Sequence, residues 1–167
     1  ESFLAAAERF LADKRKLDRL GALLELLLSC LGQDAPPRPV LRLYWLLIYC
    51  VPEKIEYQTE FSQRFETLYP LASAERAFYD SCGFTTGLDP VAALRRLEGL
   101  LRFCEGAYVY HASGWGVGRV VSVDPFLKQI KVDLEEKPQH RISNDAVDSI
   151  LHPLAPNSFH PLPHKRA

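Results

Sequence analysis

The sequence contains no methionine, even at its first position, although it has 167 residues. We therefore expect it to be a piece of a longer protein. It also has no excess of charge of either sign, since 20 Lys and Arg oppose 21 Asp and Glu for a formal net charge of −1. Clustered Lys and Arg drive non-specific binding to phosphates. The balance disfavours direct nucleic-acid binding and favours a protein partner.

Cysteine pairs of the metal-binding or redox type are absent. The four cysteines have no CxxC spacing and no nearby histidines: Cys30, Cys50, Cys82 and Cys104. Three of them lie within or at the end of apolar helical stretches. We expect these to be small buried hydrophobes in a reducing compartment.

A membrane span and a signal peptide are also missing from the pattern. The most apolar run, residues 20–31, contains Glu25 and falls short of the ~20 apolar residues that a membrane span requires. No basic segment followed by an apolar core opens the chain. We expect a cytoplasmic protein with no membrane partner.

Helical periodicity fills residues 2–103. Apolar positions at a 3, 4, 7, 8 spacing predict a first helix over 3–13, with Ser2 as its N-cap. A proline-rich loop at 34–39 and a helix start at Asp89-Pro90 are further signals. Helices are predicted over 17–31, 40–51, 54–69, 72–82 and 90–103. The candidate core residues of the 54–69 helix are Ile55, Phe61, Phe65 and Leu68.

The pattern changes at Gly106 to short β-type segments. Strands are predicted over 107–111, 118–124, 129–135 and 150–154, with a helical turn at 144–149. Strands this short and closely spaced are typical of a small barrel of the SH3 or Tudor kind. The predicted fold class is therefore α+β. An all-helical bundle or short solenoid at 2–103 precedes an SH3/Tudor-like β barrel at 105–155, and 156–167 is a linker or tail.

The sharpest motif is the run from Gly114 to Arg119, GWGVGR. Its glycine spacing leads into a strand, so it lacks the helix N-terminus of a dinucleotide-binding loop. Two interpretations remain. In one, the glycines permit a tight or bulged turn and Trp115 covers one end of the barrel. In the other, Trp115 stands out as an interaction anchor with Arg119 beside it.

Metal and catalytic patterns are weak. Of the five histidines, only His160 and His164 have a ligand-like spacing, and the prolines between them prevent a shared helical turn. We expect solvated histidines, no metal and no cofactor. Asp133 and Glu135 face one side of a strand and Glu136 the other, as on a solvated surface. We expect no enzyme and no small-molecule substrate.

A second aromatic group lies on the 40–51 helix. Tyr44, Trp45 and Tyr49 either line a peptide groove or belong to the core, and their helical spacing favours the core.

The stretch 114–156 resembles the small β module that precedes Gre-type transcript cleavage factors in some bacteria. The resemblance rests on the GWGVGRV turn and strand, the VDLEE strand, the KPQH segment with its short helix, and the LHPL strand. More distantly, it is similar to the RNA polymerase interaction module of CarD and of the transcription-repair coupling factor, a Tudor-like barrel. A helical region ahead of the barrel agrees with the first family.

The resemblance implies a regulatory or docking region of a bacterial transcription elongation factor that contacts RNA polymerase. The coiled coil of Gre factors, whose acidic tip holds a metal, has no counterpart in this sequence, so we expect no stimulation of cleavage. The candidate partner-binding residues are Trp115, Val117, Arg119 and Arg141.

Two alternatives stay open. The barrel is a nucleic-acid-binding module if the cations Arg119, Lys128, Lys131 and Arg141 share one face. Otherwise, the helical region is a peptide-binding scaffold.

Overall fold

The computed structural model describes residues 13–31 and 35–154. Within them the chain is α+β, with helices followed by a curled, five-stranded antiparallel sheet. The change from helix to strand falls between a 3₁₀ turn at Leu101–Phe103 and the first strand at Tyr108. The predicted first helix with its Ser2 cap and the predicted tail at 156–167 lie outside the described residues.

The helices and strands are numbered in chain order. The longer helices are α1 Lys14–Cys30, α2 Pro37–Cys50, α3 Ile55–Leu68, α4 Ala74–Ser81 and α5 Pro90–Leu100. The sheet contains β1 Tyr108–His111, β2 Val117–Asp124, β3 Gln129–Leu134, β4 His140–Ser143 and β5 Leu151–Pro153, with a short helix α6 Val147–Ile150 before β5. Within residues 13–31 and 35–154, every helix falls short of the length or the hydropathy that a bilayer crossing requires.

The chain divides into two compact units. One comprises the described part of Glu1–Pro70 together with Asp89–Val91, and the other comprises Leu71–Leu88 and the described part of Ala92–Ala167. The periodicity of the sequence predicts other bounds, 2–103 and 105–155, because it marks where helices give way to strands. Those domain bounds stay a prediction.

The first unit is built on the packing of α2 and α3. Trp45 meets Phe61 edge to face, with ring centroids 5.7 Å apart, and both side chains are buried together with Phe65. Burial of Trp45 and of its neighbour Tyr44 agrees with the core interpretation, whereas Tyr49, the third of these aromatics, is only half-buried. Ile55 was expected in this core, and that is wrong. It is the first residue of α3 and is 62% exposed.

The ends of two helices differ from the sequence prediction. The helix α1 begins at Lys14 and not at the predicted residue 17, since the carboxylate of Asp13 caps it by accepting hydrogen bonds from the backbone N–H groups of Arg15 and Lys16. The proline-rich segment is not all loop, because α2 begins at Pro37. Proline is tolerated in the first turn of a helix, where the backbone N–H groups have no partner within the helix.

The cysteine prediction holds for two residues. Cys50 and Cys82 are buried, and burial raises the pKa of both thiols. Cys30 and Cys104 are exposed, so the expectation of three buried cysteines is wrong. Cys30 is the last residue of α1 and Cys104 follows the 3₁₀ turn, which leaves both thiols at the surface.

The sheet of the second unit has the strand order β4-β3-β2-β1-β5, with every neighbouring pair antiparallel. A register shift between Val120 and Ser122 marks a bulge in β2, and such a bulge bends and twists its strand. Along the strands, buried and exposed residues alternate, and the buried ones form the inner face of the sheet. These are Val109, Val120, Ile130, Val132, Leu134, Ile142 and Leu151. The strand β4 was not predicted, because only its pairing with β3 distinguishes this short polar segment from a turn.

Candidate functional site

The glycine motif forms the turn between β1 and β2. Gly114 and Gly116 have φ angles of 84° and 82°, a region that glycine occupies without the steric cost of a Cβ atom. The turn is closed by two hydrogen bonds of 3.0 Å, from the N–H of His111 to the carbonyl of Gly116 and from the N–H of Gly114 to the carbonyl of His111. The predicted glycine-permitted turn is therefore present.

Trp115 packs against two histidines. Its indole stacks on the imidazole of His111 with ring centroids 4.2 Å apart, and it meets His140 edge-on at 4.9 Å. The Nζ atom of Lys137 lies 4.2 Å from the centroid of the indole ring. We call these four residues the Trp115 cluster.

The cluster lies at one end of the inner face of the sheet. His111 is two residues after the buried Val109 on β1, and His140 lies opposite the buried Val132. Residues two apart on a strand share a face. Trp115, itself half-buried, thus covers the end of the concave side. The expectation of solvated histidines is wrong for His111, which is 2% exposed.

Both histidines of the cluster favour the neutral state. Burial lowers the pKa of His111, and the ammonium of Lys137 lowers it further. Burial also lowers the pKa of His140, with smaller effects of Lys137 and His111. The Nδ1 atom of His111 accepts a hydrogen bond of 3.1 Å from the N–H of Ser113, so in the neutral ring the proton resides on Nε2.

A metal-binding role finds no geometric support in this part of the chain. Among residues 13–31 and 35–154, no three His, Cys, Asp or Glu side chains come together as a metal site would require.

The outer face of β1 and β2 carries exposed aromatic surface. Tyr108 lies opposite Arg119 and Tyr110 lies opposite Val117 in the register of the two strands. The two tyrosines are 57% and 39% exposed. We call Tyr108, Tyr110, Val117 and Arg119 the tyrosine patch.

The tyrosine patch is held in place by backbone contacts. The Nε–H of Arg119 donates a hydrogen bond of 3.3 Å to the carbonyl of Gly106, which fixes the guanidinium over the start of the sheet. Beside the patch runs an open groove of about 690 Å³, which is lined by Tyr108, Arg102, Pro153 and Leu154 among others. The arrangement offers two aromatic rings, one cation and a neighbouring apolar depression.

The four predicted partner-binding residues do not form one surface. Val117 and Arg119 are neighbours in the tyrosine patch, whereas Trp115 covers the concave side. Arg141 lies on β4 opposite Lys131, while Arg119 lies opposite Asp133, two residues further along β3. Of the cations named for nucleic-acid binding, Lys131 and Arg141 lie directly opposite each other, and Arg119 lies on the same face, diagonal to Lys131 and paired with Asp133.

Sequence reasoning missed the two tyrosines. The signal was present in the order Tyr108-Val109-Tyr110-His111, because alternate residues share a face of a strand. The sequence did not show which pair faces outward. Val109 and His111 are no better candidates for the core than Tyr108 and Tyr110.

The chain was also compared with known proteins. No family model, no curated protein and no solved structure was found to match it.

Proposed function

We propose that this chain is a non-enzymatic regulatory or docking region of a bacterial transcription elongation factor, working in the cytoplasm through contact with RNA polymerase. The contact surface in this proposal is the tyrosine patch. The observation that carries it is the exposure of Tyr108 and Tyr110 next to Arg119 on paired strands.

The composition of the patch supports a protein partner. Tyrosine and arginine are enriched among the residues that contribute most of the binding energy in protein interfaces. Tyrosine has few rotatable bonds, and Arg119 already donates to Gly106. Ordering these side chains on binding therefore costs little entropy.

The choice of polymerase rests on the sequence resemblance of residues 114–156. The fold is compatible with it: five antiparallel strands between Tyr108 and Pro153, a bulged β2 and a short helix before β5. We take this curled sheet to be a small barrel of the SH3 or Tudor kind. The net charge of −1 also favours a protein surface over nucleic acid as the main partner.

Binding of the full chain to purified, nucleic-acid-free bacterial RNA polymerase tests the proposal. Biolayer interferometry should detect binding by the wild-type chain. The variants Tyr110→Ala and Arg119→Ala should each weaken it by about tenfold, which corresponds to ~1.4 kcal/mol. The control is Arg95→Ala, an exposed arginine on α5 outside the patch. No wild-type binding, or equal losses for Arg95→Ala and Arg119→Ala, would refute the proposal.

A further inference from the structure

Two cations face each other on the outer side of the sheet, where the neighbouring carboxylate of Asp133 accepts a hydrogen bond from the N–H of Gln139. Lys131 on β3 lies directly opposite Arg141 on β4, where Cβ atoms are about 5 Å apart and like charges destabilise the pair. Among the described residues, no carboxylate forms an ion pair with either side chain. An anionic ligand that contacts both cations would remove this repulsion.

An exposed aromatic ring lies at the nearby tip of the β2–β3 hairpin. Phe126 is 78% exposed and Leu127 is 58% exposed. The Oδ1 atom of Asp124 accepts hydrogen bonds from the N–H groups of both residues, at 3.0 and 2.9 Å. The tip is therefore a fixed turn, and Phe126 is presented to solvent from a defined position.

A third cation follows the ring. Lys128 is exposed at the end of the turn, and its carbonyl accepts a hydrogen bond of 2.8 Å from the N–H of Asn144. Lys128 precedes β3, three residues before Lys131, and its positive φ of 49° ends the turn. We call Phe126, Lys128, Lys131 and Arg141 the hairpin surface.

A groove of about 210 Å³ lies within this surface. Its lining includes Leu127 and Ile130 together with Lys131 and Arg141. The carboxylate of Asp124 also borders it, with Oδ1 bound to the two turn amides, so the groove carries one negative charge beside two positive ones. Because Ile130 is buried on the inner face, the groove combines the exposed side chain of Leu127 with two cations that form no ion pair among the described residues.

We propose that the hairpin surface binds single-stranded nucleic acid. Proteins that do so combine cations, which follow the phosphate backbone, with aromatic side chains on which the bases stack. Here Lys131 and Arg141 would share one phosphate, Lys128 would contact another, and Phe126 would stack on a base. The local cations supply this attraction despite the net charge of −1. The proposal goes beyond polymerase contact and does not depend on it.

The proposal is tested on the full chain by fluorescence anisotropy. The probes are labelled oligouridylate and oligothymidylate of about 12 nucleotides, a length within the range of known single-strand binding sites. Binding should be detectable at low salt. With two phosphates contacted, the logarithm of affinity should fall against the logarithm of salt with a slope of about −1.4. Phe126→Ala should weaken binding by about tenfold, because one stacked base is lost.

The variant Lys131→Glu separates binding from folding. It places a carboxylate opposite Arg141, so the melting temperature should stay unchanged or rise. Oligonucleotide affinity should nevertheless fall by tenfold or more. The matched control is Lys14→Glu, which makes the same charge change at an exposed position on α1 and should alter affinity by less than about threefold, through the long-range field alone.

Three outcomes would overturn the proposal. One is the absence of oligonucleotide binding at low salt, and another is an equal loss for Lys131→Glu and Lys14→Glu. The third is tighter binding of an oligoglutamate peptide than of either oligonucleotide, which would assign the surface to an acidic protein segment. Because polymerase binding is measured without nucleic acid and with variants of the tyrosine patch, failure of one proposal leaves the other standing.

Discussion

The imidazole of His111 stacks on the indole of Trp115 with ring planes 27° apart and ring centroids separated by 4.2 Å. Because Trp115 also meets His140 and covers the end of the inner face, it contributes to the stability of the sheet. Trp115→Ala should lower the free energy of unfolding by about 2–3 kcal/mol, the sum of lost burial and lost ring contacts.

Urea unfolding followed by circular dichroism measures this effect. The control is Phe126→Ala, since that ring is largely exposed and its removal should change stability by less than ~0.5 kcal/mol. Equal stability of the two variants would contradict the placement of Trp115 as a cover and would favour its role as a free anchor.

The cluster also makes stability depend on pH. The pKa values of His111 and His140 are lowered in the folded chain below the ordinary value of 6.5. The unfolded state then binds more protons than the folded state as pH falls through that value. The stability of the folded chain is therefore unaffected by protonation of these two histidines above about pH 7.5. It decreases as the pH falls below the unfolded pKa near 6.5.

Chemical denaturation at pH 7.5 and 5.5 measures the loss. We expect the wild type to be less stable at pH 5.5, and the difference should shrink in the variant His140→Gln, which has no imidazole to titrate there. Lys137→Gln should also reduce the difference, because the ammonium lowers both pKa values. Greater stability at pH 5.5 would show that the histidines gain, rather than lose, proton affinity on folding.

Gly118 is a packing requirement of the sheet. A Cβ atom at this position would collide with the carbonyl oxygen of Asp133 and would lie 2.8 Å from Cδ2 of Leu134. Gly118→Ala should therefore destabilise the chain by more than ~2 kcal/mol, as overpacking against backbone does. Thermal unfolding of the soluble variant, or its failure to fold, provides the readout.

Gly99 is the matched control for this substitution. It lies in α5, and among the described residues no heavy atom beyond its chain neighbours and the adjoining helix backbone lies within 4 Å of a Cβ added there. Gly99→Ala should raise stability by about 0.5–1 kcal/mol, since alanine is the better helix former. A Gly118→Ala variant as stable as Gly99→Ala would show that β2 and β3 do not approach as closely as described.

The local parts of the fold were predictable from the sequence. Helical spacing identified the helices of residues 14–103 and the buried pair Phe61 and Phe65. The glycines of the turn at Trp115 gave its position and its backbone conformation. These features depend only on residues that are close to one another in the sequence.

The non-local parts were not predictable. His140 meets Trp115 because β4 pairs with β3 and β3 pairs with β2, and nothing in the polar segment around His140 indicates that pairing. The face that Tyr108 and Tyr110 occupy is likewise set by the register with β2. From the sequence, the candidate site is placed at the glycine turn around Trp115, whereas the exposed tyrosines beside it become visible only in the structure.

The central claim is that the outer face of β1 and β2 docks on RNA polymerase, and photo-crosslinking tests it most directly. A benzophenone amino acid is introduced at Tyr110 and, as a control, at Leu71, an exposed residue outside the sheet. After irradiation with purified bacterial polymerase, we expect a crosslinked polymerase subunit with the probe at Tyr110 and little with the probe at Leu71. Crosslinking from Leu71 alone, or from neither position at concentrations that saturate any binding, would contradict the account.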